Sequence, residues 1–344
     1  MMNTIIKEKK MLNEIKKNKF LYLGLLTIGL IGIIFTILNT EDKFDPKKKT
    51  IEIIVPYPAG GATDKIGRMV SEMFEENGWK SIVVNKPGAN TTIGSNYVSK
   101  AKANGNTLYI GGNGFLDANI AFKEKAPGIQ YKKDSFTPIA PLGIGTLVLA
   151  VTNTSEVNDY EGFKTYVKNN PDKFKVGFWN SYTGKIFKEW ARQEGLPVPT
   201  IVTYKGSSPQ IADILGGHIE FIFDTFTATN QHYADKKIKI IATLDQYGVN
   251  KLKEINSESI AVNIAEKFPD LEINIWYGVF APKGMDIKVV NLMNKIINES
   301  LKQSKYQDSF KKFGIFDVGG SPEKLKNRYT SLYNTFKQAS QYIE

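Results

Sequence analysis

Residues 51–68 read IEIIVPYPAGGATDKIGR and contain the three signals that define the fold. The run Ile51–Val55 is apolar apart from Glu52, which predicts a strand buried on both faces. A turn-forming segment, Pro56–Asp64, follows it. The residues after the turn are apolar at the spacing of an amphipathic helix: Ile66, Met69, Val70, Met73 and Phe74. The segment therefore predicts a strand, a glycine-rich loop and a helix.

The same order continues along the chain. Ser81–Val84 and Thr107–Ile110 are predicted strands, and a helix is predicted between them at Ile93–Ala103. Strands that alternate with helices form βαβ units, which indicates an α/β domain built on a parallel sheet.

A second set of elements repeats this order without detectable sequence repetition. Its predicted strands are Thr146–Val151, Phe174–Phe178, Ile201–Tyr204 and Glu220–Phe223, and Asp224 follows the last of them. Helices are predicted at Tyr160–Asn169, after the polar loop Trp179–Gly184, and at Val289–Leu301.

One further helix has recognisable start and stop signals. Ser208 is suited to the N-cap and Pro209 to the first helical position, and Gly216 with Gly217 ends the helix. Its predicted buried face consists of Ile211, Ile214 and Leu215.

Three loops are candidates for a binding site. In open α/β sheets, ligands bind beyond the carboxyl ends of the strands, where helix N-termini present unpaired N–H groups. Tyr57–Asp64, Trp179–Lys185 and Tyr204–Ser208 have this position, and Asn113 in a glycine-rich turn is a fourth candidate. This arrangement favours an anionic small molecule. The alternative is that these segments are ordinary capped turns.

Composition excludes several classes of protein. The 344 residues are 42% hydrophobic and 23% charged, which indicates a globular protein large enough for two domains. The absence of Cys excludes disulfides, thiol nucleophiles and zinc-thiolate sites, and only two His, His218 and His232, are present. Neither His falls in a candidate loop. We therefore expect no catalytic residues, no metal and no cofactor.

The net charge of +10 does not indicate nucleic-acid binding. Much of it lies in residues 1–19, which hold six Lys against two Glu. Elsewhere Lys residues are scattered among Asp and Glu instead of being gathered with aromatic residues into a basic stripe, so we expect no nucleic-acid partner.

The N-terminal segment predicts a membrane anchor. Phe20–Leu38 is uncharged over 19 residues, which is long enough to cross a bilayer as a helix. The Lys-rich residues 1–19 before it place the N-terminus in the cytoplasm and the body outside. Residues 39–50 are then a solvated tether. The alternative is a cleaved signal peptide and a secreted or periplasmic body.

Residues 51–340 resemble the receptors of tripartite tricarboxylate transporters, also called Bug-type receptors. Besides residues 51–68, the segments that carry this resemblance are 83–90, Ile93-Gly94, 104–108, 134–139, VTYKGSSP at 202–209, DILGG at 213–217 and WYGVFAP at 276–282. The order and spacing of the glycine pairs around Tyr204-Lys205-Gly206 make the match specific.

The resemblance implies a two-lobe binding protein of the type II periplasmic kind, with the ligand cleft between the lobes. Lobe 1 is expected at residues 51–146 and 273–344, and lobe 2 at 147–272. Such a receptor captures a small organic carboxylate, acts with integral membrane transporter subunits, and is expected to be a monomer. In the family, the loops that match Tyr57–Asp64 and Trp179–Lys185 hold carboxylates through backbone amides and ordered water.

The second loop departs from the family pattern. Ser181-Tyr182 replaces the usual Gly-Ser, and Lys185 stands where the family often has His, so the ligand's identity is not transferred. Lys185 is either a direct charge on the ligand or a solvated side chain. The alternative to ligand binding is a role as a helix N-cap for Asp64 and as a turn residue at a strand end for Asp224. The predicted ligand-binding residues are Tyr57, Ala59, Gly60, Gly61, Thr63, Asp64, Asn113, Ser181, Tyr182, Thr183, Gly184, Lys185, Tyr204 and Asp224.

An α/β enzyme that acts on an anionic small molecule in the same cleft is the alternative function. It would need a nucleophile with a base, or a metal cluster. The sequence contains no Gly-x-Ser-x-Gly elbow, Walker loop or GxGxxG motif, which favours the receptor.

Overall fold

The computed structural model describes residues 44–45, 48–112, 128–179, 181–257, 259–268 and 275–339. No helix within these ranges is both long and apolar enough to span a membrane. The predicted anchor at Phe20–Leu38, the basic segment before it, much of the tether and Asn113 lie outside the described residues. The described residues from Asp45 onward form one compact unit.

The strands form two sheets. In chain order, the strands of the described residues are β1 (Ile51–Val55), β2 (Ser81–Asn85), β3 (Thr107–Gly112), β4 (Phe136–Gly145), β5 (Leu147–Thr152), β6 (Lys175–Phe178), β7 (Thr200–Thr203), β8 (Phe221–Thr225), β9 (Ile238–Thr243), β10 (Val262–Asn263), β11 (Ile275–Pro282) and β12 (Ile315–Phe316).

Helices cover the sheets. In the same part of the chain they are α1 (Ala62–Glu76), α2 (Thr92–Ser99), α3 (Tyr160–Asn169), α4 (Ser181–Gln193), α5 (Ser207–Leu215), α6 (Phe226–Ala234), α7 (Gln246–Ile255), α8 (Ile287–Ser300), α9 (Ser304–Lys312) and α10 (Pro322–Ala339).

The two sheets have matching topologies. The first has the order β12-β4-β11-β3-β1-β2 and the second β10-β9-β5-β8-β6-β7. In each, three neighbouring strands are parallel, β2-β1-β3 and β7-β6-β8. The next strand, β11 or β5, is antiparallel to its neighbours on both sides. We call each sheet with its helices a lobe.

The prediction of a parallel sheet is therefore correct for those three-strand groups and for the β9–β10 pair, but not for the strands around β5 and β11. Along the chain, β5 of the second sheet comes after β4 of the first sheet, and β11 of the first sheet comes after β10 of the second sheet. Because these strands arrive from the opposite lobe, the local βαβ pattern does not determine their direction. The chain leaves the first sheet for the second at Thr146, between β4 and β5.

The first strand and helix pack closely because a glycine lies between them. A Cβ at Gly67 in α1 would lie 2.7 Å from a Val55 methyl group, closer than real Cβ contacts. The predicted apolar face of α1 is buried. This packing fixes the start of α1 at the end of β1, which positions the loop between them.

Each lobe has its own apolar core. Tyr109, Phe136, Trp276 and Phe280 belong to the core of the first lobe. The second core is richer in aromatic rings, and Phe163 on α3 contacts several of them. Burial of such rings is the main source of stability for each lobe.

Three local predictions are wrong. The segment predicted as a polar loop up to Gly184 is helical from Ser181 onward. The N-cap of α5 is Gly206 instead of Ser208, whose hydroxyl donates to the Ala59 carbonyl of the other lobe. Leu215 is 40% exposed, because it is the last residue of α5 and lies off the buried face, which consists of Ser207, Gln210, Ile211 and Ile214.

Candidate functional site

The carboxyl ends of strands from both sheets border one cavity. The loop after β1, the end of β3, the residue after β6 and the end of β8 all contribute to it. The described residues that line the cavity are Tyr57, Gly61, Ala62, Thr63, Gly112, Trp179, Ser207, Thr225, Ile275, Trp276 and Tyr277. The cavity thus lies where open α/β sheets bind ligands.

β11 reaches the cavity through its other end. Because it runs antiparallel to β3, its first residues lie beside the last residues of β3, and Tyr277 pairs with Gly112. Trp276 and Tyr277 therefore join the cavity wall, and both are buried. Tyr57 and Trp179 meet across the lobes edge to face, with ring centroids 6.0 Å apart. Aromatic surface thus surrounds much of the cavity.

Two helices begin at the cavity without a side-chain cap. The N-caps of α1 and α5 are Gly61 and Gly206, and neither helix has a capping hydrogen bond from a side chain. The first N–H groups of a helix have no partner within the helix. By contrast, Thr225 caps α6 by accepting a hydrogen bond from the Ala228 N–H. The amides at Ala62, Thr63 and Ser207 are therefore suited to an anion.

Asp64 stabilises the loop that precedes α1. Its carboxylate accepts the Gly60 N–H at 2.9 Å, the Asn85 amide at 2.9 Å and two hydrogen bonds from the Arg68 guanidinium. Burial alone would raise the pKa of Asp64, but the hydrogen bonds from Arg68, Gly60 and Asn85 together lower it. Asp64 is thus ionised, and it holds Gly60 in the left-handed conformation, at φ +84°.

The lobes contact each other at the rim of the cavity. The Ser208 hydroxyl of α5 donates to the Ala59 carbonyl at 2.8 Å. The Lys65 ammonium of α1 donates to the Thr227 carbonyl of α6 at 3.1 Å. Gly206 faces Pro58 so closely that a Cβ there would lie 2.6 Å from the proline Cδ. The two loops therefore meet in a closed arrangement.

Of the predicted ligand-binding residues, Tyr57, Gly61 and Thr63 line the cavity. Ala59 and Gly60 are exposed and are absent from the described lining. Asp224 is fully buried behind the wall, where its Oδ1 accepts the Ser207 hydroxyl and the Thr225 N–H.

Other predicted residues lie away from the described lining. The Tyr204 hydroxyl donates to Asp213 at 2.7 Å. Gly184 packs against β7, where a Cβ would lie 2.7 Å from a methyl group of Ile201. Thr183 is buried and Lys185 is half-buried, while the side chains of Ser181 and Tyr182 fall outside the described part.

Several lining residues were missed as ligand contacts. Ser207 lies in a candidate loop, and Gly112, the last residue of β3, directly precedes the candidate Asn113 in the sequence. Thr225 follows Asp224 directly, so its position at the end of a strand could have been predicted from the sequence. Ile275, Trp276 and Tyr277 carried no such signal, because they begin a strand instead of ending one.

The described residues contain no group of three or more His, Asp or Glu side chains arranged to hold a metal ion.

Comparison with known proteins reveals one family. The family model described as tripartite tricarboxylate transporter family receptor matches residues 66–331. A relative from Pseudomonas sp. strain P51, described as a UPF0065 protein in the tcbD-tcbE intergenic region, is 30% identical over 82% of this chain and 83% of its own.

Solved structures have the same two-lobe fold. The periplasmic binding protein BugD is 25% identical, with a TM-score of 0.75 over 86% of this chain and 98% of its own. A Rhodopseudomonas palustris protein bound to adipate is 22% identical, with a TM-score of 0.76 over the same shares, 86% and 98%.

These matches confirm the resemblance found in the sequence. The matched family is one of transporter receptors, and the solved neighbour BugD is a periplasmic binding protein. The family match covers α5 and α1 from Ile66 onward, together with every described strand except β1. The chain belongs to the receptor family of the tripartite tricarboxylate transporters.

Proposed function

We propose that this receptor captures a small organic carboxylate in the cavity between its lobes and delivers it to an integral membrane transporter. The observation that carries the proposal is the pair of helices, α1 and α5, that begin at the cavity with glycine N-caps and no side-chain cap. Each helix N-terminus carries roughly half a positive charge. The described lining contains no charged side chain, so these dipoles and amides provide the attraction for an anion.

The backbone supplies most of the proposed contacts. The Ser207 hydroxyl already donates to Asp224 at 2.9 Å, so Ser207 offers its N–H to the ligand. Ala62 and Thr63 offer N–H groups from α1, and Thr63 adds a hydroxyl. The aromatic residues Trp179 and Trp276 then cover the ligand's apolar part. The adipate-bound neighbour has the same fold and holds a dicarboxylate, which is consistent with this class of solute.

The location of the receptor is also a proposal. The solved neighbour BugD is a periplasmic binding protein. We infer that Phe20–Leu38 anchors the chain in the cytoplasmic membrane, with a cleaved signal as the alternative. We also propose that lobe 1 comprises residues 51–146 and 273–344, that lobe 2 comprises residues 147–272, and that the receptor is a monomer.

A ligand screen tests the proposed function. The purified chain should be heated with di- and tricarboxylates, amino acids and aromatic acids, and unfolding followed by fluorescence. A solute present at about 100 times its Kd should add about 2.7 kcal/mol to the free energy of unfolding. We expect at least one carboxylate to raise Tm by several degrees and to be recovered unchanged by mass spectrometry. Turnover of the solute would instead support the enzyme alternative.

Lys185→Met tests whether a side-chain charge contributes. Lys185 lies on α4 and is absent from the described lining of the cavity. We expect the Kd for the carboxylate found in the screen to change by less than about threefold, under roughly 0.7 kcal/mol. Calorimetric titration of both proteins measures it. A larger loss of affinity would mean that Lys185 contacts the carboxylate directly.

A further inference from the structure

A buried carboxyl group lies directly behind the cavity wall. Asp224, near the end of β8, is 0% exposed. Its Oδ1 accepts the Ser207 hydroxyl at 2.9 Å and the Thr225 N–H at 2.6 Å. Ser207 and Thr225 both line the cavity. A single layer of residues therefore separates the Asp224 carboxyl from the space in which an anion would be held.

The second oxygen of this carboxyl has a different environment. Among the described residues, Oδ2 of Asp224 is buried and has no hydrogen-bond partner. An ionised carboxylate with one unsatisfied oxygen is costly in the protein interior. A neutral carboxyl group can carry its proton on Oδ2 and still accept, through Oδ1, the hydrogen bonds from the Ser207 hydroxyl and from the N–H and hydroxyl of Thr225.

The titratable groups around Asp224 do not neutralise it fully. Lys65 of α1 is the nearby cation, and its ammonium donates to the Thr227 carbonyl. The phenols of Tyr57 and Tyr277 also face Asp224, and burial raises the pKa of both, so they are uncharged. Burial raises the pKa of Asp224 to about 7, although the hydrogen bonds from Thr225 and Ser207 and the charge of Lys65 act in the opposite direction.

We propose that capture of a carboxylate is coupled to protonation of Asp224. The neutral acid lets an anion approach the amides at Ser207, whereas the ionised form repels it across one layer of residues. On binding, one proton passes from solvent to Oδ2 of Asp224, and no covalent bond in the solute changes. This inference rests on the proposed function, since it assumes that the captured solute is an anion.

The coupling has a definite sign. A bound anion favours the neutral form of Asp224, so its pKa rises when the cavity is filled. By linkage, affinity falls as pH rises above the pKa of the empty receptor, by at most tenfold per pH unit for one proton. Alkaline conditions therefore favour release of the solute.

Calorimetry of the full chain tests the coupling. Adipate and benzoate serve as probes, because carboxylic acids are fully ionised above about pH 6.5. We expect the Kd of the probe that binds to increase at least fivefold between pH 6.5 and pH 8.5, with proton uptake detected by comparing buffers of different ionisation enthalpy. Asp224→Asn, which is neutral at every pH, should remove most of this dependence.

Asp213→Asn is the matched control. Asp213 lies on α5, the helix that begins with Ser207, but its carboxylate accepts the Tyr204 hydroxyl. This variant should keep the pH dependence of the unmodified chain. If Asp224→Asn kept the same dependence, or if no proton were taken up, the coupling would be wrong.

A measurement without any solute separates this inference from the proposed function. In the full chain labelled with ¹³C at the Asp carboxyl carbons, the signal lost in Asp224→Asn should titrate near neutral pH. Titration in the usual Asp range, near pH 4, would overturn the coupling whether or not adipate or benzoate binds. Failure of every carboxylate to bind, with Asp224 titrating near neutral pH, would instead contradict the proposed function and the assumption on which the coupling rests.

Discussion

Phe163→Ala should lower the free energy of unfolding by about 3–5 kcal/mol. Phe163 on α3 is completely buried, and its ring centroid lies 5.1 Å from that of Phe221, 5.6 Å from Phe174 and 6.2 Å from Trp190. Truncation removes buried surface and leaves a cavity among three rings, which belong to β8, to α4 and to the residue just before β6. Urea unfolding monitored by circular dichroism measures the change.

Two variants show whether the cavity causes this loss. Phe163→Leu keeps most of the apolar volume and should cost less than half as much. Leu292→Ala on α8 removes a side chain that is 45% exposed, and it should change stability by less than about 0.5 kcal/mol. A similar cost for Phe163→Ala and Leu292→Ala would contradict the packing described for the second lobe.

Elements with complete local signals were predictable from the sequence. β1 matches its predicted range, Ile51–Val55, because the apolar run ends directly at a turn segment rich in Pro and Gly. α3 matches its predicted range, Tyr160–Asn169, and Asp159 caps it by accepting the Gly162 N–H. At both places, the residues that set the boundary lie next to the element in the sequence.

Elements that depend on the other lobe were not predictable. Ser208 has the chemistry of an N-cap, but its hydroxyl bonds to Ala59, 149 residues away in the sequence. A contact between the lobes therefore overrides the local preference of Ser208 for the N-cap position. The antiparallel direction of β5 and β11 was not predictable for the same reason, since the chain crosses from one lobe to the other before each of these strands.

The residues of the candidate site also differ in whether local sequence was enough to predict them. Tyr57, Gly61 and Thr63 were predictable because a strand, a loop and a helix follow one another there. Trp276 and Tyr277 were not predicted as site residues, although their segment helped to identify the family. They reach the cavity only because β11 pairs antiparallel with β3. Rules based on the carboxyl ends of strands cannot find a residue at the beginning of one.

Gly206→Ala should weaken carboxylate binding by about 5- to 150-fold, because a Cβ there would lie 2.6 Å from the Cδ of Pro58 in the other lobe. The backbone at Gly206 is extended, with φ 163°, so alanine fits the backbone and the clash falls on the contact between lobes. Overpacking of this kind costs about 1–3 kcal/mol, and the cost applies to the closed arrangement that holds the solute.

The empty receptor separates this effect from misfolding. It can relieve the clash by opening, so Tm of Gly206→Ala without solute should stay within about 2 °C of the unmodified chain, because neither core is altered. Gly216→Ala is the matched control, because Gly216 is the exposed C-cap at the other end of α5, has φ −79° and is absent from the described lining of the cavity. Calorimetric titration with the carboxylate found in the screen should therefore give a much smaller loss for Gly216→Ala than for Gly206→Ala. Equal Kd values for Gly206→Ala and the unmodified chain would mean that the solute binds without the approach of Gly206 to Pro58.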